Sequence, residues 1–63
     1  MKFITVHLKI NKDKFAINPL QISALKPLKE GGTRIYYTLL SQHDDIIEEY
    51  DYILIQINDT LEA

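Results

Sequence analysis

Apolar and polar residues alternate most clearly near the beginning of the chain, over residues 3–10. The alternation separates two sets of side chains, with Ile4, Val6, Leu8 and Ile10 on one face and Phe3, Thr5, His7 and Lys9 on the other. A period of two residues, rich in β-branched side chains, predicts a half-buried strand with the first set inward. The polar run 11–14 predicts a turn and residues 15–17 a return strand, so residues 3–18 are expected to form a hairpin.

Two prolines interrupt the next stretch. Asn18-Pro19 ends the first hairpin, because proline cannot donate to a ladder and asparagine before proline favours a turn. Residues 22–25 resume an extended pattern, and Pro27 either ends this strand or confines it to the edge of a sheet. We therefore expect a third strand that is short or lies at an edge.

Two adjacent glycines mark the sharpest turn in the chain. Gly31 and Gly32 supply positive φ without steric cost, so residues 29–32 are expected to reverse the chain direction. Residues 33–40 follow as a strand in which Ile35, Tyr37 and Leu39 alternate with Arg34, Tyr36, Thr38 and Leu40. Residues 21–40 are therefore predicted to form a second hairpin.

The C-terminal third carries two overlapping patterns. Residues 41–45 are polar, and we interpret them as a loop. The apolar residues that follow recur every three or four positions, as in an amphipathic helix with one apolar stripe: Ile46, Ile47, Tyr50, Ile53, Leu54, Ile57 and Leu61. Asp45 with Glu48 three residues later is typical of a capping box. The isoleucines over 53–57 also alternate as in a strand, and β-branched residues are poor helix formers, but the helix is favoured, above all over 51–58.

The expected fold is α+β. It is an antiparallel meander of four short strands, or five if residues 46–49 form a strand rather than the first helical turn, with one C-terminal amphipathic helix on its apolar face. Residues 1–63 are expected to form a single small domain, and a domain of this length buries only about 60% of its unfolded surface. There is no cysteine to form a disulfide. We therefore expect a homo-oligomer, since association is another way for a small domain to bury more surface.

The charges are sorted along the chain. All seven basic residues lie in residues 1–34 together with two acidic ones, and the other seven acidic residues lie in residues 35–63. The net charge of −2 therefore hides two opposed local charges. Such a split can hold the helix on the sheet, pair two copies or recruit a charged partner.

Three short patterns resemble those of a bacterial family. Asn18-Pro19-x-x-Ile22, Gly31-Gly32-Thr33-Arg34-Ile35 and Glu48-x-Tyr50-x-x-Ile53 resemble the small flagellar-operon FlbD-like proteins and short proteins of bacterial mobile elements and phages. The resemblance runs over roughly residues 3–57. It implies a strand meander followed by a short strand and a helix, and it implies no catalytic residues. In this chain Glu49 stands where the family has a hydroxyl side chain at the helix start.

Candidate chemistry is sparse. Residues 43–45 (His-Asp-Asp) have the side-chain types of metal ligands, and His7 is the second histidine, but neighbouring side chains point apart in a strand or helix. Loop polarity explains the same run, so the sequence leaves a metal at loop 41–45 open. No cysteine nucleophile and no serine with a suitably spaced base is present, and residues 31–32 lack the rest of a phosphate-binding loop. We therefore expect no enzyme activity, no catalytic residue and no cofactor.

Outward aromatic residues favour a role in protein contact. Phe3, Tyr36 and Tyr52 are expected to face outward, and aromatic side chains are enriched where proteins meet. With the acidic Glu48 and Glu49 they form the expected interface. The predicted function is a non-enzymatic accessory or binding domain that acts through protein–protein contact. It is expected to self-associate, through exposed sheet edges or through the acidic helix meeting a basic strand face.

A nucleic-acid-binding module is the alternative function. A basic sheet face with outward aromatic side chains can stack bases while cations hold phosphates. The candidate contacts on that face are Thr5, His7, Lys9, Arg34 and Tyr36. The acidic second half of the chain argues against this alternative.

Two further expectations concern location. No apolar run approaches the length of about 20 residues that a membrane span needs, so no membrane contact is expected. The apolar stretch that begins at Phe3 is too short and too polar for a secretory signal. The cytoplasm is therefore the expected compartment.

Overall fold

Five strands and one helix make up the fold in this computed structural model, which describes residues 2–39 and 41–62, with side chains described up to Thr60. In chain order the strands are β1 (Ile4–His7), β2 (Lys14–Ile17), β3 (Ile22–Pro27), β4 (Thr33–Tyr37) and β5 (His43–Ile46), and they are followed by helix α1 (Tyr50–Glu62). All paired strands run antiparallel. The predicted α+β meander with a C-terminal helix is therefore confirmed, and of the two strand numbers that the sequence left open the structure has five.

The strands form two sheets that meet at one point. β1 pairs with β2, and β4 lies between β3 and β5 in a three-stranded sheet. The chain just after β1 bridges to the end of β5 between Leu8 and Ile46. Within the described residues β3 therefore pairs with a strand on one side only, and its other edge is open.

Within the described part of the chain, the core is made of six buried aliphatic side chains from both sheets and the helix: Ile4, Val6, Ile17, Ile35, Ile46 and Ile53. The predicted inward set of β1 is confirmed for Ile4 and Val6. Helix α1 contributes Ile53, which lies within its predicted apolar stripe and is fully buried. The helix over residues 51–58 is confirmed as well, so the helical period prevails over the alternation of its isoleucines.

Two predicted core positions are wrong. Ile10 is 89% exposed, because β1 ends at His7 and the chain turns before Ile10 could face inward. Leu39 is 81% exposed, because β4 ends at Tyr37. Both strands are shorter than their alternating patterns, since alternation continues past the last residue that has a partner strand. Leu40 and the side chain of Leu61 lie outside the described residues.

A short 3₁₀ helix joins the two hairpins, a feature that the sequence pattern did not predict. It spans Pro19–Gln21, and the Asn18 side chain caps it by accepting a hydrogen bond of 3.0 Å from the Leu20 N–H. Proline suits the first helical position because its fixed φ is already helical and its missing N–H is not needed there. Asn18-Pro19 thus ends β2, as predicted, and places the start of β3 beside the helix.

The predicted glycine turn between β3 and β4 is confirmed. Gly31 and Gly32 have φ of 102° and 90°, a region that L side chains rarely adopt. Gly32 also lies against the β5 backbone, since a Cβ built on it would come within 2.3 Å of the Ile46 carbonyl oxygen. The turn therefore needs glycine at position 32 for both conformation and space.

The predicted loop over residues 41–45 is wrong in its second half. Residues 43–45 belong to β5, which pairs with β4 over four residues. The local sequence is polar, but each aspartate has a partner on β4: Asp44 accepts from the Tyr37 hydroxyl (2.7 Å) and Asp45 from the Arg34 guanidinium (2.8 Å). Cross-strand partners thus stabilise a strand that has little apolar alternation of its own.

The predicted capping box is also wrong. Asp45 lies in β5 and the helix begins at Tyr50, so Asp45 and Glu48 do not flank a helix start. Ile46 ends the last strand and residues 47–49 connect it to the helix, which answers the question that the pattern left open. Glu49 precedes the helix, but its side chain accepts a hydrogen bond from the Gly32 N–H (3.1 Å) rather than from the first helical turn.

Candidate protein-interaction site

The open edge of β3 carries backbone groups that do not pair with β4. The Leu28 N–H donates to the Gly32 carbonyl (3.1 Å), which fixes the phase of the ladder. Hydrogen-bonded and non-hydrogen-bonded pairs alternate along an antiparallel ladder. Lys26 therefore directs its backbone groups toward β4, whereas Leu25 and Pro27 direct theirs away from it. Pro27 has no N–H, which fits its place on an edge strand, and this part of the prediction is confirmed.

An apolar groove of about 280 Å³ follows this open edge. One wall is the strand segment 22–25 together with Pro19, and the other wall is the helix, through Tyr50, Leu54 and Ile57. Four consecutive strand residues line the groove, although their side chains alternate between the two faces of the sheet. The groove therefore runs along the backbone edge of β3 and not over one face of the sheet.

The helix wall results from the spacing of apolar residues in α1. Ile53 is fully buried in the core, and beside it Tyr50, Leu54 and Ile57 follow one another at intervals of four and three residues. Leu54 remains 38% exposed. The apolar stripe of α1 is thus wider than the part that packs into the core, and the residues along its margin form one side of the groove.

Among the residues that the structure describes, no charged side chain lines the groove, although a quarter of the chain is charged. An extended segment that entered the groove would find unpaired backbone groups on one side and aliphatic side chains on the other. This combination is the one used when a peptide or a strand adds to a sheet edge, since main-chain hydrogen bonds give affinity and side-chain pockets give specificity.

The predicted interface aromatics are not part of the groove. Phe3 is 62% exposed at the start of β1, and Tyr52 is 51% exposed on α1. Tyr36 is half-buried on β4, with its ring centroid 5.7 Å from that of His43. These three aromatic side chains lie on different elements, and none of them lines the groove.

The two predicted interface glutamates form contacts within the fold. Glu48 accepts hydrogen bonds from His7, and Glu49 accepts one from Gly32. Partial burial raises the pKa of Glu48, but hydrogen bonds from the His7 ring and backbone outweigh it and hold the pKa below its usual value. Both carboxylates therefore serve the connection between β5 and α1.

The three cationic candidates for nucleic-acid contact have acidic partners nearby. The Lys9 ammonium lies 3.3 Å from the Glu30 carboxylate and donates to the Gly31 carbonyl. The Arg34 guanidinium donates twice to Asp45, at 2.8 and 3.2 Å, which holds the pKa of Asp45 below its usual value. His7 lies against Glu48, as described above, while Thr5 is exposed on β1. Much of the basic face is thus neutralised from within the chain.

The hydrogen bonds of β5 also determine where the candidate metal ligands of residues 43–45 point. On β5 the side chains of Asp44 and Asp45 point to opposite faces, toward Tyr37 and Arg34. Among the side chains that the structure describes, no group of three or more histidines and carboxylates is placed to hold a metal ion.

Sequence reasoning missed the groove itself. Its signals were present: Pro27 marked the edge strand, and the apolar stripe of α1 was wider than one core contact requires. The pattern did not indicate which strand lies beside the helix, because this depends on the 3₁₀ turn at Pro19–Gln21.

Comparisons with known proteins give no match from which a function could be inferred. No family model, no curated protein and no solved structure matches the chain. The resemblance to the FlbD-like group therefore stays a prediction. No helix within the described residues is long and apolar enough to cross a membrane.

Proposed function

We propose that this chain is a small non-enzymatic binding domain that acts through protein–protein contact and self-associates. The observation that carries the proposal is the uncharged groove along the open edge of β3. An edge strand with unpaired backbone groups is a template for another strand, and proteins that do not use such an edge commonly protect it with charge, a bulge or a covering element.

The edge of β3 is only partly protected. Pro27 stands at one end and a bulge lies between Ile22 and Ala24 at the other, which leaves Leu25 between them. The helix stands beside the strand but leaves the groove open. A short segment of added strand therefore fits better than a long one.

Self-association would also bury apolar surface that the small core of one copy leaves exposed. Among the described residues the buried aliphatic cluster consists of six side chains, while the groove-lining Leu54 remains 38% exposed and Leu25 only partly buried. Covering them would add apolar burial to a domain that has no disulfide.

Two matched helix variants test this proposal. Leu54→Glu places a carboxylate in the groove, whereas Ile55→Glu places one on the outward face of the same helix, where Ile55 is already 57% exposed. Sedimentation of the natural chain over a concentration series should reveal self-association. Leu54→Glu should weaken it by about tenfold or more, because an unpaired charge is costly to bury, and Ile55→Glu should not.

Salt separates the two routes to self-association. Pairing through the groove should change little with ionic strength, whereas an acidic helix on a basic face should weaken as salt screens the charges. A chain that stays strictly monomeric at high micromolar concentration and low salt would remove self-association from the proposal.

Nucleic-acid binding is a second candidate, favoured by one observation. The rings of Tyr36 and His43 lie 5.7 Å apart on the sheet, tilted by 52°, beside a hollow of about 350 Å³ whose lining includes Lys9 and Asp45. Single-stranded DNA or RNA should then shift at about 50 mM salt, where phosphate contacts are strong, and Lys9→Glu or Arg34→Glu should abolish the shift. The absence of a shift would eliminate this candidate.

A further inference from the structure

We propose that the groove takes β3 of a second copy of this chain, paired antiparallel about a two-fold axis at Leu25. This inference rests on the proposed function and names the partner and the register. It would join two three-stranded sheets, each in the order β3-β4-β5, into one six-stranded sheet.

The backbone phase favours an axis at Leu25. Its N–H and C=O point toward the open edge, so Leu25 in each copy can form both hydrogen bonds of a narrow pair. If the register shifted by one residue, the backbone groups of Leu25 would lie opposite residues whose own backbone groups already bind β4. A shift of two residues, which moves the axis by one residue, is therefore the smallest change that keeps free donors opposite free acceptors.

The two neighbouring registers are less favourable. An axis at Lys26 would place two lysines directly opposite each other and would set Leu25 against Pro27, which has no N–H. An axis at Ala24 would set Leu25 against Ser23, which lies in the bulge between Ile22 and Ala24. With the axis at Leu25, the two leucines pair with each other, and Ser23 and Pro27 meet only at the two ends of a short ladder. Lys26 then lies opposite the uncharged Ala24, and no like charges meet along the pairing.

The side chains of the groove agree with this symmetry. A two-fold axis perpendicular to the sheet keeps both helices on the same face, so the groove of one copy opens toward the groove of the other. Leu25 and Leu54 of each copy then cover those of its partner. The lining contains no charged side chain within the described part of the chain, so closing the two grooves buries none of the lining's charges, which would oppose such a contact. A partner of another sequence is not required.

Disulfides between single introduced cysteines can report the register directly, because the natural chain has no cysteine of its own. Ala24 and Lys26 are both exposed and lie outside the core, so Ala24→Cys and Lys26→Cys should fold normally. In the proposed register the two positions form a non-hydrogen-bonded pair with Cα atoms about 4.5 Å apart. That spacing is within the range of a disulfide. Same-site pairs would be diagonal, at about 7–8 Å.

The experiment mixes ¹⁵N-labelled Ala24→Cys with unlabelled Lys26→Cys, oxidises them gently and counts the three disulfides by mass spectrometry. The mixed disulfide should exceed each same-site disulfide by at least about tenfold, against twofold for random encounter. Ile55→Cys, on the outward face of α1, replaces Lys26→Cys in the control and should give the random ratio. Thermal unfolding of the reduced variants checks that each one folds.

Each outcome decides between alternatives. An excess of the Ala24→Cys same-site disulfide, or of the Lys26→Cys one, would overturn the register and identify the other axis. A random ratio would overturn pairing through β3. If Leu54→Glu still weakens association in that case, the proposed function stands and only this geometry fails. A monomeric natural chain would overturn both the geometry and the self-association on which it rests.

Discussion

The Glu48 carboxylate holds His7 at two points. It accepts a hydrogen bond of 3.0 Å from the His7 backbone N–H and lies 2.7 Å from the ring Nδ1, across a sequence separation of 41 residues. The buried Thr33 hydroxyl donates to the Glu48 carbonyl at 2.8 Å. One residue in the connection between β5 and α1 therefore ties together β1, β4 and the start of the helix that forms one wall of the groove.

Removing this carboxylate should destabilise the fold. We expect Glu48→Ala to lower the free energy of unfolding by about 1.5–3 kcal/mol, the usual range for a hydrogen bond to a charged group, because its side chain is only 17% exposed. Urea unfolding followed by circular dichroism measures the change. Asp59→Ala, at an exposed position on α1, is the control and should stay within about 0.5 kcal/mol of the natural chain. Equal losses in the two variants would contradict this role of Glu48.

The same contact predicts a dependence of stability on acid. The pKa of Glu48 is lowered in the fold, so its contribution is present above the ordinary glutamate pKa of about 4.3 and is lost as pH falls through the lower folded value. Glu48→Gln cannot make this contribution. The difference in unfolding free energy between the natural chain and Glu48→Gln should therefore shrink as pH falls below about 4. A difference that stays constant down to pH 2 would exclude the linkage.

The sequence predicted those parts of the fold whose residues carry local signals. Alternation correctly predicted Ile4 and Val6 in the core, and two glycines predicted the turn before β4. For α1, the helical spacing of apolar residues was a better guide than the strand-like alternation of its isoleucines. The position of β5 over His43–Ile46 was missed because its stabilising partners, Tyr37 and Arg34, lie on another strand. A pattern read along the chain cannot reveal pairs that form only when two strands are adjacent.

The candidate site was harder to predict for the same reason. The outward positions of Phe3 and Tyr52 follow from periodicity, and both are exposed as expected. Glu48 was expected at an interface together with the outward aromatic side chains, but the hydrogen bonds it accepts from His7 hold it within the fold. The groove depends on how closely α1 approaches β3, which no local pattern encodes.

The two glycines of the turn should differ in their response to alanine. Both have positive φ, which costs an L residue about 1–2 kcal/mol. At Gly31 a Cβ would meet only the flexible end of Glu49 at 3.3 Å, whereas at Gly32 it would meet the Ile46 carbonyl oxygen at 2.3 Å. Gly31→Ala should therefore lower the free energy of unfolding by about 1–2 kcal/mol and Gly32→Ala by clearly more, or prevent folding. Comparable melting temperatures for the two variants would show that β5 does not lie against Gly32.

Alkaline titration tests the contact between β4 and β5. Burial, with the hydrogen bond to Asp44, raises the pKa of Tyr37 above its ordinary value. A raised pKa means that the folded chain keeps the Tyr37 proton when the unfolded chain would lose it. Stability is therefore fully present below the ordinary tyrosine pKa of about 10 and falls as pH rises above it. Tyr37→Phe should abolish this part of the alkaline loss, because phenylalanine does not ionise.

Tyr52→Phe provides the matched comparison, since Tyr52 is 51% exposed on α1. Unfolding free energies of the three chains, measured from about pH 8 to about pH 11, bracket the ordinary tyrosine value. The natural chain and Tyr52→Phe both keep the Tyr37 hydroxyl and should both lose stability over this range, while Tyr37→Phe, less stable at neutral pH because it lacks this hydrogen bond, should follow a flatter curve. Parallel curves for all three chains would show that the Tyr37 hydroxyl is solvated and that β5 does not cover it.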